Sequence, residues 1–121
     1  IHPVDLLYAH LGRGCVEVTA FHETTQDVLV GRWSGGRVGM VRGLRLTGKN
    51  PFGRIAFGAE GVRSDLQPAE GPPPFAVMLK AIVEFWRTGR SPIPPEETVE
   101  EMAFLEAAEQ SWKRGGTPVR L

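Results

Sequence analysis

The apolar pattern of this 121-residue chain changes period twice, and that limits the possible folds more tightly than any single motif. Over His2–Leu11, Val4, Leu7, Tyr8 and Leu11 recur at helical spacing. Pro3 sits in the first turn, where a missing N–H costs nothing, and Gly12 and Gly14 follow the end. The period then becomes two. Val16, Val18 and Ala20 alternate with Glu17, Thr19 and Phe21, and Thr25–Trp33 carries the run Val28, Leu29, Val30. Ser34-Gly35-Gly36 supplies the positive-φ positions of a tight hairpin. Arg37–Leu46 reads as a third strand, with Val38, Met40 and Arg42 on one face and Val41 on the other. Arg54–Ala59 reads as a fourth, and Glu60-Gly61 turns toward a short edge strand at Val62. Gly39, Gly43 and Gly58 inside these strands mark bulges or close backbone approach.

After the proline-rich loop Asp65–Pro74 the helical period returns. Phe75, Met78, Leu79, Ile82, Val83 and Trp86 form one stripe, expected to be core, and Gly89 closes the helix. Pro94-Pro95-Glu96-Glu97 opens the last helix, with two carboxylates at the positive end of its dipole. Its expected apolar stripe is Met102, Leu105, Ala108 and Trp112, widened by Phe104 and Ala107, and Gly115-Gly116 stops it before a closing strand at Val119–Leu121. This order predicts an α+β fold, an open antiparallel sheet with helices packed on one face, as a single domain over residues 1–121. The opposite face of such a sheet must be polar or must bind something.

Charge narrows the partners. Fourteen basic and fourteen acidic residues cancel, so nothing points to nucleic acid or to an anionic membrane. The basic run from Arg32 to Arg63 and the acidic run from Glu96 to Glu109 read as the solvated faces of a sheet and a helix. A single cysteine, Cys15, excludes an internal disulfide and fits a reduced, cytoplasmic setting; on a strand beside Val16 it reads as a small core residue. No apolar run is long enough to span a bilayer.

No Gly-rich phosphate loop, zinc-spaced Cys/His set or nucleophile elbow is present. The candidate for chemistry is His2 with Asp5. Residues three apart share a helix face, so the carboxylate can orient the imidazole, and an imidazole so held can take the proton of an alcohol as hydride leaves the same carbon. His10 reads as packing beside Leu6 and Leu7, and His22-Glu23 as exposed near a strand end.

IHPVDLLYAHLG, with its Ile-His-x-x-Asp start, hydrophobic run and glycine, resembles the opening of the C-terminal domain in the glucose–fructose oxidoreductase, inositol dehydrogenase and rhizopine-catabolism (Gfo/Idh/MocA) family. DVLVGRWSGGRVGMVRG is similar to that family's sheet. The stretch from Phe75 to Leu121 is similar to its closing helices, with a Thr-Gly, a Pro-x-x-x-Glu-Glu helix start, an Ala-Ala-x-x-Ser and a Gly-Gly before the last strand. The resemblance implies an NAD(P)-dependent oxidoreductase acting on a sugar, polyol or related alcohol. It makes His2 the catalytic proton-transfer residue and Asp5 a substrate-binding or His-orienting residue. It implies a sheet that lines the substrate cleft and carries a homo-oligomer interface. These 121 residues contain neither a Rossmann dinucleotide fold nor the family's Glu-Lys-Pro lysine, so the chain by itself is expected to bind no cofactor and to transfer no hydride. The alternative is a non-enzymatic ligand-sensing or dimerisation module on the same fold.

Overall fold

The computed structural model describes residues 2–45, 53–65 and 74–121. The chain divides into two units, one of Ile1–Arg45 with Ile93–Leu121 and one of Leu46–Pro92. In the first, helix α1 (His2–Leu11) leads into strands β1 (Cys15–His22), β2 (Gln26–Trp33) and β3 (Val38–Leu44). In the second, β4 (Arg54–Gly58) and β5 (Gly61–Asp65) form an antiparallel hairpin, followed by α2 (Pro74–Thr88). The chain then returns to the first unit with α3 (Pro95–Lys113) and β6 (Val119–Arg120). No helix among the described residues is long and apolar enough to cross a membrane.

The first unit is the α+β layer that the periods predict. Its sheet is antiparallel throughout, in the order β3-β2-β1-β6. Val18, Ala20, Gly31, Trp33, Gly39, Val41 and Val119 are buried on one face, beneath α1 and α3. The other face presents Thr19, Phe21, Val30, Val38 and Met40, with Val38 and Met40 more than 60% exposed. At the centre of the covered face three aromatic rings meet. Tyr8 and Trp33 lie 5.5 Å apart between centroids, and Phe104 lies 6.1 Å from each. The Trp33 indole N–H is not wasted in this apolar setting, because it donates to the Gly12 carbonyl at 2.8 Å.

Two expected faces come out shifted. In β1 the register slips between Cys15 and Glu17, so Cys15 takes the inside place and Val16 is left 40% exposed. In α3 the buried face runs through Glu101, Phe104, Ala107, Ala108 and Ser111, whereas Met102 and Trp112 are 53% and 43% exposed. The small residues Ala107, Ala108 and Ser111 let α3 lie close on β1. Ser111 stays buried because its hydroxyl accepts the Ala20 N–H at 2.9 Å, a donor that would otherwise be stranded in the interior.

A third expectation, that the α2 stripe is core, is not met. Phe75, Met78, Leu79, Val83 and Trp86 are 47–76% exposed. Among the described residues of its own unit, the elements beside this helix are the two five-residue strands of the hairpin. That hairpin leaves Ile55, Phe57 and Val62 exposed as well, too little surface to bury a six-residue stripe.

Candidate functional site

His2 and Asp5 come together as their spacing predicts. The imidazole Nδ1 lies 3.4 Å from Asp5 Oδ2 on the first turn of α1, with the two side chains 80% and 42% exposed. An exposed pair of this length contributes little to stability. The carboxylate engages one ring nitrogen and can orient the imidazole.

The start of α3 packs against α1 at Tyr8. Glu101 is 7% exposed, and burial first, then the Asp5 and Glu97 carboxylates, push its carboxyl above the usual range. Glu100 has a different task. One of its oxygens accepts the backbone N–H groups of Gly14 and Cys15 at 2.7 and 2.8 Å, and the other lies 3.6 Å from Arg13 Nε. It thereby pins the entrance of β1 to α3. The Tyr8 hydroxyl donates to the Glu100 backbone carbonyl at 3.4 Å; burial, then the charge of neighbouring groups, holds the phenol far above its ordinary range. Burial also raises the Cys15 thiol, which makes it a core residue and a poor nucleophile.

His10 is exposed and donates from Nδ1 to the Leu6 carbonyl at 2.8 Å. His22 is exposed at the end of β1, where the sequence puts it, but it is not idle. Its Nδ1 donates to Asp27 Oδ1 at 2.5 Å, Arg45 Nη2 donates to Asp27 Oδ2 at 2.5 Å, and the imidazole lies against Trp112 with centroids 4.3 Å apart. Arg45 and then His22 hold the Asp27 carboxyl below its usual range. The signal was present in the strand pattern: His22 and Asp27 are directly opposite each other where β1 turns into β2. Both Asp27 oxygens are satisfied inside the cluster, so it acts as a clasp tying the ends of β1, β2 and β3 to α3.

Among the described residues no group of three or more His, Cys, Asp or Glu side chains is arranged to hold a metal ion. Comparison with protein-family models, with curated proteins and with solved structures found no match to this chain.

Proposed function

We propose that these residues form the substrate-binding and oligomerisation domain of an NAD(P)-dependent oxidoreductase of the Gfo/Idh/MocA kind, acting on a sugar, polyol or related alcohol. The observation that carries the reading is the His2–Asp5 pair, held at 3.4 Å on an exposed helix start with one imidazole nitrogen left for a substrate hydroxyl. The one-sided α+β layer and the motifs from Phe75 to Leu121 support it. In this reading His2 takes the hydroxyl proton, Asp5 orients the imidazole or holds a neighbouring hydroxyl, and a dinucleotide domain brings the nicotinamide to the carbinol carbon.

The test is reduction of NAD or NADP, followed by absorbance, with a panel of polyols and sugars and the protein expressed from its full reading frame. His2→Asn is expected to lower kcat/KM about a hundredfold, the lower end of what a positioned base supplies. Turnover unchanged in that variant removes His2 from the chemistry, and the absence of any turnover removes the enzyme reading.

The uncovered sheet face supports the oligomeric part. Val38, Met40 and Phe21 are 51–63% exposed there, among the paired charges Glu17 and Arg32, 3.1 Å apart. This mixture of apolar surface and matched charge suits a second copy of the chain. Light scattering is expected to show self-association that Met40→Asp weakens at least tenfold. A wild-type chain that stays monomeric at high concentration would count against the sheet-face interface.

A further inference from the structure

The four-stranded sheet ends at β3, and the hydrogen bonds fix which way that strand's backbone groups point. The Trp33 N–H donates to the Arg37 carbonyl and the Arg45 N–H to the Thr25 carbonyl, both at 2.8 Å. Between those two bonds the register pairs Gly31 with Gly39, Leu29 with Val41 and Asp27 with Gly43. Bonded and non-bonded pairs alternate in an antiparallel ladder, so Gly39, Val41 and Gly43 spend their N–H and C=O groups on β2. Val38, Met40, Arg42 and Leu44 aim theirs at the outer edge, where among the described residues no further strand pairs with β3.

Such an edge is normally blunted by a lysine, a proline or a bulge. Over Val38–Leu44 there is none of these, and the register to β2 is unbroken. The one charge, Arg42, is engaged by β2, its Nε donating to Gln26 Oε1 at 2.9 Å. The two halves of the strand differ on the covered face. A Cβ at Gly39 would lie 2.5 Å from Leu7 Cδ1 and 2.6 Å from Leu11 Cδ1, so α1 sits on that half. A Cβ at Gly43 would meet, among the described residues, only Asp27 Cβ at 4.0 Å.

We propose that β3 pairs antiparallel with the β3 of a second copy of this chain, about a two-fold axis at Val41, and so joins two sheets into one. The register sets Val38 of one copy against Leu44 of the other and Met40 against Arg42, each pair exchanging two N–H···O=C bonds. A strand edge that carries both donors and acceptors is self-complementary about such an axis. The α1-covered Gly39 then meets the open Gly43 of the other copy. That copy's own Gly39 lies about 13 Å further along the strand, room for the second helix beside the first. Arg42 meets Met40, whereas a two-residue slip would set the two arginines directly opposite each other. The 14 basic and 14 acidic residues cancel, so no net charge opposes the meeting of two copies. This pairing needs neither His2 nor a nicotinamide. It uses backbone groups at the edge, whereas association through the uncovered face uses side chains.

Amide hydrogen exchange followed by NMR on the 121-residue chain, at low and high protein concentration, tests it. Gly39, Val41 and Gly43 are expected to be protected at both concentrations. The amides of Val38, Met40, Arg42 and Leu44 are expected to slow at least about tenfold at the higher one. Exchange at those four that ignores concentration overturns the proposal, and association that Met40→Asp abolishes while they stay unprotected assigns the contact to the face instead. A pair of variants gives a second reading. Arg42→Pro removes one outward N–H from each copy and spares the β2 ladder, a place where edge strands tolerate proline. Arg42→Ala removes the guanidinium and keeps the N–H. In sedimentation equilibrium Arg42→Pro is expected to weaken association at least about tenfold and Arg42→Ala by less than about threefold. Equal losses from the two would place the contact in the side chain and overturn the pairing. If Arg42→Pro does not fold, the exchange pattern of the wild type decides by itself.

Discussion

Phe104→Ala is expected to cost about 3–5 kcal/mol of folding free energy, the usual penalty for removing a fully buried aromatic ring. Phe104 is 0% exposed and packs against both Tyr8 on α1 and Trp33 on β2. Its loss opens a cavity whose walls cannot close easily. Tyr8 is held by the Glu100 carbonyl and Trp33 by the Gly12 carbonyl, so neither ring is free to swing into the space. Against a total stability of about 5–15 kcal/mol for a domain, this is a large share. Denaturant melts followed by circular dichroism should show the midpoint falling steeply. Met102→Ala, two residues earlier and 53% exposed, should fall within about 0.5 kcal/mol of the wild type. Equal losses from the two substitutions would mean that α3 buries a different face.

The second large effect compares two glycines. A Cβ at Gly31 would lie 2.5 Å from Trp33 Cζ3 and 2.6 Å from Phe104 Cε2; a Cβ at Gly39 would lie 2.5 Å from Leu7 Cδ1 and 2.6 Å from Leu11 Cδ1. The distances match, but the neighbours do not. Trp33 and Phe104 are 1% and 0% exposed and packed on every side, whereas Leu7 and Leu11 are half-buried and end in methyl groups that can rotate away. Gly31→Ala is therefore expected to destabilise by about 3 kcal/mol, the upper part of the overpacking range. Gly39→Ala should cost about 1 kcal/mol or less, since relief at the leucines combines with the gain from replacing a flexible strand glycine. Parallel thermal melts of the two variants give the comparison directly. A Gly31→Ala variant as stable as Gly39→Ala would contradict the rigid aromatic packing described for this face.

The same residues show what the order of amino acids makes legible. Val4, Tyr8 and Leu11 are enough to recognise α1, and the alternation in Val18-Thr19-Ala20-Phe21 is enough to recognise β1 and to assign its two faces. His2 and Asp5 are three apart in a helix, so their meeting follows from local geometry alone. Other parts of the site could not be read this way. Glu100 looks like one more carboxylate on a solvated acidic helix, yet its partners are the N–H groups of Gly14 and Cys15, more than eighty positions away in the chain. Ser111 looks like an interruption of an apolar stripe, yet it is fully buried because a strand donor needs it.

The sequence by itself determined the kinds of elements, their order and the one-sided layer. Backbone period is a local property, and each segment repeats its own clearly. Only the tertiary structure decided the phase of those periods: that α3 turns Phe104 and Ala108 inward in place of Met102 and Trp112, that β1 slips to bury Cys15, and that Glu100 and His22 meet partners on other elements. Phase depends on which surfaces approach closely enough to exclude water and which polar groups they strand. Those conditions are set by residues far apart in the chain.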